Sequence, residues 1–554
     1  MTGWRPWSSV PTSFPNLRLR PWVLTPTLCD NAAMSIPGPP TTRLLVAAVA
    51  VLSASALVAL TGCSDEDRGT AATTTEAVPD DAAGEAADTV EAQELVTRPD
   101  LHPPAVDVEV ARATAPGLVF LAPKQADAQR GPLIVDDAGE VVWSQPLADG
   151  AAADFRVQTY RGEPVLTWYE GTSDDGYGHG EFVIADASYR EIARVAAGNG
   201  LRGDLHEFQL TAAGTALILA YEPGVADLTA VGGPAAGHVL DNVVQEIDVA
   251  TGQVMFEWNA GDHVPVTDTY RELVPDAAAT DDERDEDGTE TAPLDWFHVN
   301  SVAEDGDALL VSARNTHAVY AVDRATGAVR WTLGGKSSDY AMGDGTTFAW
   351  QHDARRLADG TISLFDNQAA PPIGEQSRGL VLALDDAAGS ATLVREVVHP
   401  DGVLAGSQGN TQVLPDGNIV VGWGSEGRVT EFDPDGDVVF DAAWAPADSY
   451  RVYRMPWTGR PETVPDVVAR QVGDRDADSD AVEVYVSWNG ATEVAEWRVA
   501  EAGVTATKDG FETRIEVEAD ELAAGDPVTV EALDATGAVI GTSAPVAVAE
   551  PEAG

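Results

Sequence analysis

From about residue 98 the chain alternates short apolar runs with polar positions, broken by D-G, T-G and P-D-G turns. Period-two alternation between such turns predicts β-strands. One phrase recurs: a strand, an Asp, a Gly turn, then a strand that often ends in Trp. It reads L-I-V-D-D-A-G-E-V-V-W from Leu133 to Trp143, and V-Q-E-I-D-V-A-T-G-Q-V-M-F-E-W from Val244 to Trp258. It returns from Val319 to Trp331 and from Val429 to Trp444, with weaker copies between. A second hairpin type alternates with the first, as in T-Q-V-L-P-D-G-N-I-V-V-G-W. Two hairpins per unit make four strands, the content of one propeller blade, and about six units fit between residues 110 and 450. The expected fold is all-β: a six-bladed β-propeller over residues 98–470, followed by a small β-sandwich of Ig-like type over residues 480–549. Residues 264–295 carry an acidic insertion that reads as a loop. No stretch beyond the N-terminal segment reads as a long amphipathic helix.

The second hairpin type carries the chemistry. His206, His298 and His352 each stand eight residues before a turn glycine, at Gly214, Gly306 and Gly360. The same slot holds Asp154 one unit earlier and Gly409 one unit later. Equivalent positions of successive blades form a ring around the propeller channel, so three imidazoles are expected at one place, with Gly409 leaving room beside them. Arg314 stands eight residues after Gly306, as His298 stands eight before it, and residues equidistant from a hairpin turn sit side by side. Asn300, two residues from His298, shares its face of the strand. Asn315 and Asn367 are nearby candidates. His102, His179, His238, His263, His317 and His399 fall outside the register.

Three histidines could hold zinc, but an adjacent guanidinium is a poor neighbour for a cation. The set suits a tetrahedral oxyanion: Arg and imidazolium donors around three oxygens, with one imidazole free to attack. Sulfuryl and phosphoryl transfer both need such a site. No carboxylate cluster stands at equivalent register to recruit magnesium. The expectation is an enzyme with no metal and no cofactor.

Composition narrows the partners. The net charge of −57, with 90 acidic against 33 basic residues, argues against nucleic acid or an anionic membrane surface. The apolar run from Leu44 to Leu60 follows Arg43 in the order of a secretory signal, and its end, Leu60-Thr61-Gly62-Cys63, resembles a bacterial lipobox with Cys63 as the lipidated residue. The rival reading is a single transmembrane anchor. Residues 1–62 then form an upstream extension and signal, and residues 63–97 an acidic tether. Removing four Arg and one Asp with the signal takes the charge from −57 to −60. The expected location is extracytoplasmic, lipid-anchored to the outer face of the cell membrane. The chain has two cysteines, Cys29 and Cys63, so the mature domains have neither a disulfide nor a thiol nucleophile.

These blocks resemble the bacterial arylsulfotransferase family, in its secreted lipoprotein branch. The similar stretches are D-L-H-E-F, D-W-F-H-V-N-S-V with D-G-D-A-L-L-V-S-A-R-N-T, W-T-L-G-G, Q-H-D-A-R-R-L with F-D-N, and Y-R-V-Y-R-M-P-W-T-G-R-P. The resemblance spans about residues 98–545 and implies sulfuryl transfer from an aryl sulfate to a phenol without a nucleotide sulfate donor. It implies that His352 becomes sulfohistidine, that His298, Asn300 and Arg314 hold the sulfuryl oxygens, and that His206 is the acid/base. The C-terminal position of the sandwich and the missing disulfide depart from some members. Two other readings remain: a non-catalytic cell-surface propeller that binds a ligand or partner protein, and a quinone-dependent dehydrogenase suggested by the Trp-rich repeat.

Overall fold

The repeated Asp of the strand–Asp–Gly phrase closes its own turn in each copy, including Asp248 and Asp323, which accept from the backbone N–H groups of Thr251 and Thr326. Asp136 Oδ1 accepts from the backbone N–H groups of Ala138 and Glu140, and Asp433 Oδ1 from those of Asp435 and Asp437. The following glycines, Gly139 and Gly436, take φ values of 80° and 90°, which a side chain would resist. A carboxylate that closes its own hairpin is why the phrase could be read as a turn.

In the computed structural model, residues 92–124, 129–173, 176–273, 288–472, 481–518 and 521–550 are described. The signal segment, Cys63 and the tether up to residue 91 lie outside them, as do residues 274–287 of the acidic insertion. Among the described residues the regular structure is β-strand with short 3-10 turns, and no helix is long and apolar enough to cross a membrane.

Six sheets follow one another. The second runs outward from Ala151–Tyr160 to Glu191–Val195, the third from Phe208–Leu210 to Val254–Asn259, and the fourth from Val299–Asp305 to Val329–Gly334. The fifth starts with His352–Arg356 and the sixth with Asn410–Val413. Each sheet touches the next, and the sixth touches the first, so the ring closes. Segments from before and after the ring's own hairpins stitch that closure. Tyr453–Met455 supplies the inner strand of the first sheet, antiparallel to Leu118–Leu121. Asp107–Ala111 adds a fifth, outer strand to the last sheet, antiparallel to Val438–Ala443.

The apolar core is divided among six clusters, each shared by two neighbouring sheets. The repeated Trp serves these seams. Trp258 donates its indole N–H to Gly327 O of the next sheet at 3.0 Å, and Trp143 stacks on Tyr189 at 4.7 Å. Near the axis the chain instead buries charge. Asp154, Glu207 and Asp353 are interleaved with Arg156, Arg355 and Arg451, and the three carboxylates balance the three guanidinium groups. Such a lattice is stable only when complete, because each unpaired member would be a desolvated charge.

Beyond the ring, strands from Asp466 to Ala547 pack around a core that includes Val484, Trp497, Ile515 and Val530. Asn489 binds both backbone groups of Ser144, on the outer strand of the first sheet, at 3.0 and 2.9 Å. The N-terminal segment is tied to the same sheets, with Thr97 bonded to Ser487 and Glu512.

Candidate active site

The three in-register histidines reach one cavity of about 630 Å³, together with Arg314, Asn315 and Tyr450. They come from the inner ends of the third, fourth and fifth sheets. The rings of His206 and His298 meet edge to face at 5.0 Å, and Tyr450 lies 5.2 Å from His206 and 6.4 Å from His352. Arg314 N–H donates to His298 O at 2.9 Å, so the pairing expected from the turn count is present.

Each imidazole is oriented through Nδ1, but not by the same chemistry. His206 meets the Asp204 carboxylate and His298 the Asp295 carboxylate. His352 meets a neutral amide, Asn367 Oδ1, at 2.7 Å. The amide of Asn367 cannot turn round, because its Nδ2 donates to Ala405 O and Gln408 O at 3.1 and 3.0 Å. Its oxygen therefore faces His352 and demands N–H at Nδ1, which leaves the lone pair on Nε2. Burial first, and then Arg314, push His352 well below the usual imidazole value, so this ring stays neutral. Asp204 is raised by burial, but the His206 charge and its hydrogen bonds outweigh that, and the carboxyl ends below its ordinary value.

Arg314 is held from several sides. Its guanidinium donates to Asn315 Oδ1, Ala370 O and Gly406 O at 3.0, 3.3 and 3.2 Å, and lies 4.8 Å over the Trp350 ring. Trp350 meets His317 edge-on at 4.2 Å, and His317 stacks on Tyr270 at 4.0 Å. His263 stacks on Trp258 instead. Neither of these two histidines lines the cavity.

Two expectations change. Asn300 is fully buried and is not among the lining residues; its Nδ2 donates to Gln351 O at 2.6 Å. A bulge between Val299 and Ser301 breaks the alternation on which a shared face with His298 rested. Similar bulges interrupt the inner strands at Asp154 and Asp353, and Asp154, His298 and Asp353 take φ values of 51°, 55° and 55°. Gly409 does not serve to leave space for the imidazoles. A Cβ there would stand 2.5 Å from the Phe365 ring, and its φ is 98°.

Asp204 and Asp295 lie outside the expected set, although D-L-H and D-W-F-H each place an acid two or three residues before the histidine. Lys124 and Arg271, which also line the cavity, carry no such local signal. Among the described residues no group of three or more His, Cys, Asp or Glu side chains could hold a metal ion.

No curated protein matches the chain. Solved structures share low identity with it. A Bacteroides caccae protein of unknown function is 12% identical, covering 61% of this chain and 98% of its own, with TM-score 0.36. The β-propeller domain of Myceliophteria thermophila Cps50 (Swd1) is 10% identical, covering 68% and 98%, with TM-score 0.29. Virginiamycin B lyase from Staphylococcus aureus is 8% identical, covering 70% and 97%, with TM-score 0.25. None of these likenesses bears on what the site does. The family model described as arylsulfotransferase (ASST) matches residues 156–445, over half of the chain and all three imidazoles, and the chain belongs to the arylsulfotransferase family.

Proposed function

We propose that the protein moves a sulfuryl group from an aryl sulfate ester to a phenol, by a ping-pong route through a sulfohistidine at His352. Family membership supports the reaction class. The observation that carries the route is the state of His352: buried, neutral, and fixed by Asn367 with its lone pair on Nε2.

In the first half-reaction Nε2 of His352 attacks sulfur and the bond from sulfur to the aryl oxygen breaks. The electron pair leaves on that oxygen, which takes a proton from the His206 imidazolium. The adjacent Asp204 carboxylate stabilises that imidazolium. Arg314 and His298 bind the sulfuryl oxygens, where charge is concentrated during transfer. In the second half-reaction His206 accepts the proton of the incoming phenol, the phenolic oxygen attacks sulfur, and the S–N bond returns its electrons to His352. Asn300 acts from behind, by tying the fourth sheet to the residue before His352.

The test is transfer from 4-nitrophenyl sulfate to phenol without added nucleotide. Parallel initial-rate plots are expected, and donor alone should add one sulfuryl mass to the peptide containing His352. His352→Asn should lower kcat by about a thousandfold or more. Turnover that leaves His352 unmodified would overturn the route. An inert wild type whose binding role survives His352→Asn would favour the non-catalytic surface propeller. The anchor is part of the same reading: a mature N-terminus at lipidated Cys63 on the outer face of the membrane, which Cys63→Ala should release from the membrane fraction.

A further inference from the structure

The chain has 90 acidic residues, yet basic side chains outnumber acidic ones among the described residues that line the imidazole cavity. Lys124, Arg271 and Arg314 line it, and Asp295, bonded to His298, is the one acidic residue among the described lining residues. A sulfate monoester carries a single negative charge, which Arg314 alone can meet.

Lys124 is placed where a second charge would lie. Its ammonium donates to Gln408 Oε1 at 2.6 Å, and Arg314 donates to Gly406 O at 3.2 Å. Both cations are thus tied to one three-residue stretch, Gly406 to Gln408. The two anchor points lie two residues apart, a backbone span of at most ~7 Å, so both cations sit along one wall of the cavity. Between them the stretch presents Gly406, where a Cβ would meet nothing within 4 Å, and Ser407. Beyond Lys124 and Ser173 a second cavity of about 310 Å³ continues to Arg130.

Lys124 is only 13% exposed, and its nearest carboxylate, Asp448, is 3.7 Å away and itself accepts from Gln408. A desolvated ammonium with one loosely held counter-charge gains more from an incoming anion than a hydrated one does.

We propose that Lys124 forms a second subsite, which receives a carboxylate or similar anionic substituent on the side of the aromatic ring opposite the reacting oxygen. This rests on the arylsulfuryl-transfer reading, and it names the substrate class of that same cavity: phenols and aryl sulfates that carry a second negative charge.

The test uses the full chain, 4-nitrophenyl sulfate as donor, and two acceptors of equal shape, 4-hydroxyphenylacetate and its neutral amide. The acid should exceed the amide in kcat/KM by about tenfold, the value of one charge-assisted contact. Lys124→Met should bring the ratio close to one, and Lys124→Arg should restore part of it. A merely structural role for Lys124 would lower both acceptors together and leave the ratio unchanged, which overturns the subsite. Equal rates for acid and amide in the wild type overturn it too. Transfer to phenol but to neither of these acceptors overturns the subsite alone, whereas no transfer to phenol either overturns the arylsulfuryl reading, and the subsite with it.

Discussion

At the scale of single residues, the difference between the three histidines lies in their partners. Two face carboxylates and suit proton transfer, while His352 faces a neutral amide, whose hydrogen bond favours an imidazolium too little to offset burial and Arg314. Asn367→Ala should therefore lower kcat by about ten- to a hundredfold with little change in donor KM, because the ring loses its fixed angle of attack. Asn367→Asp is more diagnostic. The wild-type ring is held well below the usual imidazole value, so its protonation does not limit activity near neutrality. A carboxylate at Nδ1 favours the charged ring and raises that value. The nucleophile then becomes protonated as pH falls through a higher range, and the acid limb of the burst-rate profile should move upward. A limb that stays in place would show that Asn367 does not set the state of His352. The histidines and Arg314 could be read from spacing. Asn367 was only a nearby candidate, because its contact with His352 crosses the strand pair and depends on backbone carbonyls at 405 and 408 that no motif announces.

At the scale of strands and turns, alternation and Gly punctuation made the hairpins legible, and the bulges were not. An inner strand that shifts register by one residue re-aims every side chain beyond the shift, and this is how Asn300 left the face of His298. Nothing in V-N-S-V marks that shift, nor the φ of 55° that His298 takes just before it. The same limit applies to Gly409, which the repeat count treats as a vacant slot and packing shows to be a contact. Two glycines separate the causes. Gly360 has a φ of 91° and open space at the Cβ position, whereas Gly409 has a φ of 98° and a ring 2.5 Å away. Gly360→Ala should cost about 1 kcal/mol, the strain of a left-handed alanine. Gly409→Ala should cost at least ~2 kcal/mol more, since Phe365 must move within a packed seam. Urea denaturation of the two variants measures the difference, and equal losses would mean that the Phe365 contact relaxes freely.

At the scale of the whole molecule, the repeat made a closed β-propeller legible, but not how its ends are joined. Y-R-V-Y-R-M lies more than 300 residues from the strand it completes, and its apolar pattern does not say which sheet it joins. The charge distribution was half legible in the same way. Composition shows a net charge of −57, yet the cavity wall carries three cations, which only the fold brings together. The two act on an anionic substrate at different ranges. The field of the whole molecule repels it from afar and is cut off beyond about 10 Å at 0.1 M salt. The cations of the cavity act at contact, in a buried setting where salt screens little. Raising ionic strength from about 10 to 150 mM should therefore increase kcat/KM for an aryl sulfate donor, by relieving the repulsion, and leave kcat/KM for neutral phenol nearly unchanged. The two constants separate cleanly in a ping-pong scheme, because each belongs to its own half-reaction. A fall in the donor constant over the same range would mean that the cavity's positive potential reaches the solvent and steers the substrate in, so that the local charge outweighs the global one.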